Sequence, residues 1–393
     1  MTSFPIGSRM RCGLIFGLFA TTAALAQSPR RGVTDISGAG QPQLAVGSDG
    51  RVWLAYGRVS AAATPPAQDG GSHKPPAGHG HGAARSRPEG EIFVACSDDG
   101  GATFSPATRV AIVPNLMLGM RRGPRIAAHG NRLTVTVVGS ELHAFHSANG
   151  GKSWTGPKAI NDVPGSAREG LHDLAAGPAG KTFVTWLDLR NGKMELWGAE
   201  SKDGGATWGA NQQVYRSPDK SICECCHPNA LYDAEGNLAV MWRNSIEGLR
   251  DMWISTRPNG ARGFTPAKKL GEGSWTLNAC PMDGGEIVAL GRGKFGAVWM
   301  RAGEVFYSEP GGREANLGKG KQPVALLAGR QPLVVWQQGS DLVSTRIGEK
   351  TAPEKRAKDA RFAVMVPVTG GGGAVLAYEQ GPQKNPHVVV ERL

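Results

Sequence analysis

No apolar run in this 393-residue sequence is long enough to cross a bilayer. A spanning helix needs about 20 predominantly apolar residues, and the best stretch, residues 14–20, supplies about a third of that. No membrane span is therefore expected. Arg9 and Arg11 precede the stretch and Ala24-Leu25-Ala26 follows it. A basic start, a brief apolar core and a small-x-small site form a secretory signal, which predicts cleavage near Ala26 and a periplasmic or secreted chain. Residues 1–26 are then a signal peptide and 27–393 a single domain. Acidic residues are in short supply, 33 against 44 basic ones, so the net charge is +11, or +9 once Arg9 and Arg11 are removed. That balance favours anionic partners, such as an acidic glycan or a small anionic ligand, while export argues against nucleic acid. Cysteine is scarce too. Of the 6, Cys12 leaves with the signal. The five that remain (Cys96, Cys223, Cys225, Cys226 and Cys280) are an odd number and cannot all pair within one chain.

What the sequence does contain is a repeat. Ser97-Asp98-Asp99-Gly100-Gly101-Ala102-Thr103-Phe104 aligns without gaps on the segments 147–154 and 201–208. Ser97, Asp99, Gly101 and Phe104 are matched by Ser147, Asn149, Gly151 and Trp154, and by Ser201, Asp203, Gly205 and Trp208. A looser copy begins at Ser255 and a remnant at Ser308, so successive serines lie 50, 54, 54 and 53 residues apart. The motif is a turn lock: Asp or Asn bonds the backbone of its own turn, and Gly-Gly supplies positive φ. Strand-like alternation precedes the boxes, as at 181–186 and 194–199, and the period suits one four-stranded propeller blade per repeat. Along most of its length the chain resembles the BNR/Asp-box proteins of the sialidase superfamily. First strands are expected near Gln43, Pro124, His172, Pro228, Glu286, Pro323 and Phe362. The fold expected is an all-β propeller of seven four-stranded antiparallel blades, with six, the number in sialidases, as the alternative. Residues 33–36 would close the ring as the outer strand of the last blade. Tryptophans such as Trp186, Trp242, Trp299 and Trp336 read as packing between blades.

In such a propeller the boxes occupy the 3–4 turns, and the 2–3 loops and 4–1 connections share the opposite face. That face should collect Arg121, Arg122, Arg125, Arg168 and Glu169 at the starts of the second and third units. Asp188, Arg190, Arg243, Arg250, Asp251 and Arg301 fall on its 2–3 loops. It also receives a Pro/Gly/His-rich insert at about 60–90 with His73, His79 and His81, the run Cys223-Glu224-Cys225-Cys226-His227, and Cys280 one blade later. Cys96, just before a box, reads as a buried thiol.

The resemblance to sialidases implies an arginine cluster that grips a carboxylate through the guanidinium fork, and a tyrosine nucleophile served by carboxylates. On that resemblance Tyr378, Glu169 and Asp188 are the catalytic candidates. Arg121, Arg122, Arg125, Arg168, Arg190, Arg243, Arg250, Asp251 and Arg301 are the ligand-binding ones. The segment 122–126 matches the family's arginine motif only in part. In the other reading Asp188/Arg190 and Arg250/Asp251 are ion pairs that tie loops. The cysteine run departs from ordinary sialidases: its thiols and imidazole are ligands for copper or zinc, with Cys280 in reach as another. A disulfide from Cys280 to Cys223, Cys225 or Cys226, or a redox-active thiol, would use the same residues. Three functions are thus open: recognition, with or without hydrolysis, of an anionic glycan or similar ligand; copper or zinc binding; and docking of an envelope protein partner.

Overall fold

The alternating segments form 28 strands in seven four-stranded antiparallel sheets, in a computed structural model that describes residues 34–59, 89–368 and 373–393. The expected signal peptide and His73, His79 and His81 lie outside the described residues. β1 (Thr34–Ser37) belongs to the last sheet. The first sheet is β2 (Gly40–Val46), β3 (Val52–Val59), β4 (Gly90–Ser97) and β5 (Thr108–Val113). The second is β6 (Arg125–His129), β7 (Arg132–Val138), β8 (Leu142–Ser147) and β9 (Thr155–Ala159), and the third β10 (His172–Ala176), β11 (Thr182–Asp188), β12 (Glu195–Ser201) and β13 (Gln212–Tyr215). β14 (Asn229–Tyr232), β15 (Leu238–Arg243), β16 (Met252–Arg257) and β17 (Lys268–Lys269) make the fourth. β18 (Gly285–Gly291), β19 (Lys294–Arg301), β20 (Glu304–Ser308) and β21 (Ala315–Lys319) make the fifth. β22 (Lys321–Ala328), β23 (Gln331–Gln338), β24 (Asp341–Arg346) and β25 (Glu354–Ala357) make the sixth. The seventh joins β26 (Ala360–Pro367), β27 (Ala374–Gln380) and β28 (His387–Arg392) to β1, which runs antiparallel to β28 with Thr34 opposite Val390. The ring therefore has seven blades, the number given by the count of first strands rather than six, and closes with the N-terminal strand of this unit, as expected for residues 33–36.

Burial explains the strand sequences. Second strands are covered on both faces by neighbouring blades, so β11 and β15 are buried at every position and read as continuous apolar runs, whereas the outer β9 is exposed throughout. Trp186, Trp242, Trp299 and Trp336 all lie on second strands and are among the largest fully buried side chains. Each reaches into the blade before its own. Trp186 shares a hydrophobic cluster with Leu142 and Ala144, Trp242 with Leu187 and Leu196, Trp299 with Met252 and Ile254, and Trp336 with Val305 and Tyr307.

The three full boxes make one hydrogen-bond pattern. In the first, Ser97 Oγ accepts from Gly101 N at 2.8 Å, and Asp99 Oδ1 accepts from Thr103 N at 2.9 Å and from Ser97 Oγ at 2.7 Å. Ser201 and Asp203 repeat this with Gly205 and Thr207, and Ser147 and Asn149 with Gly151 and Ser153. All three lie between third and fourth strands. Among the described residues no helix is long and apolar enough to cross a membrane.

Candidate functional site

The first strands of the seven sheets surround a central channel but do not pair with one another, so polar groups facing it need other partners. Side chains supply them from blade to blade. Asp173 Oδ2 accepts from Ala230 N at 2.9 Å and Asn229 Nδ2 at 2.8 Å, while Asn229 Oδ1 accepts from Ile287 N at 2.8 Å. Glu286 Oε2 accepts from Ala325 N at 3.2 Å, and Glu379 Oε1 from Gln41 N at 2.8 Å. Burial pushes the Glu286 carboxyl up to about 8 against the opposing pull of Arg121. A cavity of about 340 Å³ remains, lined by Arg121, Arg125, Asp173, His227, Asn229 and Glu286 among others.

The structure does bring expected arginines to this axis, but it commits them to protein acceptors. Arg121 reaches across the ring from the start of the second blade to the starts of the sixth and seventh. It donates to Gln322 Oε1 at 2.7 Å, Gln322 O at 3.1 Å and Ala363 O at 2.9 Å. Arg125 donates to Arg121 O at 2.6 Å and Pro124 O at 3.1 Å, and its Nε lies 3.4 Å from Asp173 Oδ1. Arg243, 1 % exposed, donates to the carbonyls of Asp283, Arg250 and Met300. Arg122 donates to Glu169 O, Arg250 to Leu277 O, and Arg301 grips Glu314 through both terminal nitrogens. Arg190 pairs with Asp188 at 2.9 Å and lies over the Trp197 ring, so that loop-tying ion pair is present. The expected Arg250–Asp251 pair is not: Asp251 instead accepts from Ser274 Oγ and Trp275 N and lies 3.5 Å from Lys269 Nζ. Arg168 is exposed.

The catalytic candidates are not gathered. Tyr378 is 4 % exposed on β27, packed in an apolar cluster with Ala360, Leu376 and Val389, so it does not face the channel mouth as expected. Asp188 is fully buried one blade beyond Arg121 and holds bonds from Arg190, Trp186 and Ser166, which keep its carboxyl low against the effect of burial. Glu169 sits in the connection between β9 and β10. Tyr378 and Asp188 thus lie on the second strands of different blades, the seventh and the third.

The cysteine run, between β13 and β14, is what the fold concentrates most sharply. Cys223 Sγ lies 3.7 Å from Cys225 Sγ and 3.5 Å from Cys226 Sγ, and all three sulfurs fall within 4.8 Å of one another. They are buried, at 1 %, 8 % and 1 % exposure. Met282, from the next 4–1 connection, packs against them. The loop is anchored by Ile222 N on Met194 O and Cys223 N on Arg243 O. Hydrogen bonding with Cys225 and Cys226 draws the Cys223 thiol down, with help from the Arg243 charge. The same contacts raise Cys225, and burial raises Cys226 to about 12. Two expected partners fall outside the group. His227 lines the central channel, where burial and the charges of Arg121, Arg125 and Arg243 push its imidazole well below the usual histidine range. Cys280 is exposed, and no disulfide joins it to the triad or links any other described cysteines. Cys96 is an unpaired thiol as expected but is partly exposed.

Sequence reading missed Asp173, Asn229, Gln322 and Met282. The first three are short polar residues at first-strand positions, a signal visible once blades are aligned; Met282 carried none. No family model matches the sequence, and no curated protein matches it. Among solved structures the chain is similar to a protein of unknown function from Dyadobacter fermentans, with TM-score 0.51 and 13 % identity over 92 % of this chain and 98 % of that one. It also resembles the NanB sialidase from Streptococcus pneumoniae, with TM-score 0.46 and 10 % identity over 90 % of this chain and 68 % of that one. For the Hadza microbial sialidase Hz136 the figures are 0.45 and 12 %, over 90 % and 65 %. The chain is thus a seven-bladed β-propeller whose structural neighbours include sialidases, a likeness of fold.

Proposed function

We propose that this is an exported propeller that holds a soft metal ion on the face opposite its Asp boxes, through the thiolates of Cys223, Cys225 and Cys226. The carrying observation is the convergence of three buried sulfurs with no bond between them. A metal–sulfur bond is about 2.3 Å, so thiolates sharing one ion sit about 4 Å apart, and these sulfurs need only small shifts to do so. Buried thiols left in an oxidising compartment would be exposed to oxidation, and metal ligation protects them. The propeller supplies rigidity: the loop is bonded to β15 and to the residue before β12, both in the interior of their blades.

Metal analysis and thiol counting on the full chain, purified under reducing, oxygen-free conditions, test this reading. One ion per chain, lost in Cys225→Ser while circular dichroism stays unchanged, supports it. A metal-free wild type with the same ion content as Cys225→Ser removes it. Recognition of an anionic glycan or other small anion is a second reading, favoured by the cavity at Arg121 and Arg125. It ranks below the first because those guanidiniums already serve protein acceptors. Binding on a panel of sialylated and uronic-acid glycans, without bond cleavage, would restore it.

A further inference from the structure

We infer that the ion held at this site is copper(I), with the Met282 thioether as the donor that selects it; this rests on the thiolate reading above. The donor set carries the inference. Among the described residues no imidazole or carboxylate joins the three sulfurs. His227 has its ring in the channel, Cys280 is exposed, and Glu224 is exposed and accepts from Ser221 Oγ at 3.1 Å. What does pack on the triad is Met282, a side chain that carries a second kind of sulfur. Zinc completes its tetrahedron with thiolate, imidazole, carboxylate or water. Thioethers belong to the soft donors that favour cuprous copper, which also accepts three-coordinate geometry. An all-sulfur, water-poor pocket likewise disfavours copper(II), whose preferred donors are nitrogen and oxygen in a tetragonal arrangement.

The placement of Met282 is built into the fold. Its backbone is in the left-handed region, φ 55°, as are Gln41, Arg121, Gln322 and Phe362 at the starts of other blades. The turn is clamped from both sides. Gln322 Nε2 donates to Met282 O at 2.7 Å, Arg243 Nε donates to Asp283 O at 3.1 Å, and Gln322 N donates to Asp283 Oδ2 at 2.6 Å. Arg243 also offers its carbonyl to Cys223 N at 3.1 Å. One buried arginine thus ties the thiol loop of the fourth blade to the methionine loop of the fifth, and holds the two donor types in register.

The test loads the reduced full chain, without oxygen, with Cu(I) buffered by bicinchoninate and, separately, with Zn(II). X-ray absorption then reads the ligands of each ion, which separates the sulfur site from any histidine-bound metal. The expected result is one Cu(I) per chain surrounded by sulfur and absent from Cys226→Ser, with Cys280→Ser unaffected. Met282→Leu, which keeps the bulk, should weaken Cu(I) about 10-fold to 100-fold and leave Zn(II) unchanged. If Zn(II) displaces Cu(I) from the sulfurs, or Met282→Leu leaves Cu(I) affinity intact, the copper assignment is overturned and the thiolate site stands. If neither ion shows sulfur neighbours while the thiols titrate as reduced, both ideas fall.

Discussion

Single side chains in this ring divide into those whose partner is in the same blade and those that reach out. Trp186 and Trp242 occupy equivalent buried positions, yet Trp186 donates to Asp188 Oδ2 at 2.7 Å while the Trp242 indole nitrogen has no acceptor. Trp186→Phe should therefore cost about 1–3 kcal/mol more than Trp242→Phe, because it leaves a buried carboxylate short of a donor. Urea unfolding of the two variants measures the difference. His172 gives a pH signature. Burial, with the Arg125 charge added, lowers it to about 3, so the folded state keeps it neutral where the unfolded chain takes a proton near 6.5. The unfolded state binds more protons in that window, so stability falls as pH drops from about 6.5 towards 3. His172→Gln should flatten that limb of a plot of unfolding free energy against pH.

At the scale of elements, the box turn was readable because its bonds are local: each acceptor lies within four residues of its donor. Hydrogen bonds from Thr103 draw Asp99 down to about 2, and those from Thr207 and Ser201 do the same for Asp203 against the effect of burial. Their stabilising share is complete above the unfolded value near 3.8 and is lost as pH falls through about 2. Asp99→Asn with Asp203→Asn should remove that loss from acid melting curves and still fold, since Asn149 makes the same turn bonds. The glycines read less fully. Gly205 has φ +89°, and a Cβ there would meet Thr134 Oγ1 of the preceding blade at 2.0 Å, while at Gly311, φ +80°, it would meet nothing within 4 Å. Gly311→Ala should cost about 1–2 kcal/mol from φ alone, and Gly205→Ala about 1–3 kcal/mol more from the clash. Differential scanning calorimetry on both variants checks the order.

For the whole molecule, closure rests on four residues. β1 completes the seventh blade, and without it β28 becomes an open edge. Deleting the chain through Ser37 should remove about 4 kcal/mol if each lost ladder bond contributes about 1. A lower melting temperature and concentration-dependent aggregation by light scattering are the expected readings. Seven blades could be counted in the sequence because strand alternation continues through the last two units, where the box is lost and the first strands near Glu286, Pro323 and Phe362 follow one another at only 37 and 39 residues.

What the sequence determined by itself was therefore the blade, the box, the ring and the side of the ring on which unusual residues gather. All of these rest on bonds and alternation within one repeat. Only the tertiary structure decided what those residues do, because their partners lie a blade or more away. Arg121 finds Gln322 and Ala363 across the channel, which turns an expected carboxylate grip into a brace. His227 and Cys226 are adjacent in the chain yet face different surroundings, one the channel and the other the thiol triad. Met282 joins that triad only because closing the ring packs one connection against the next.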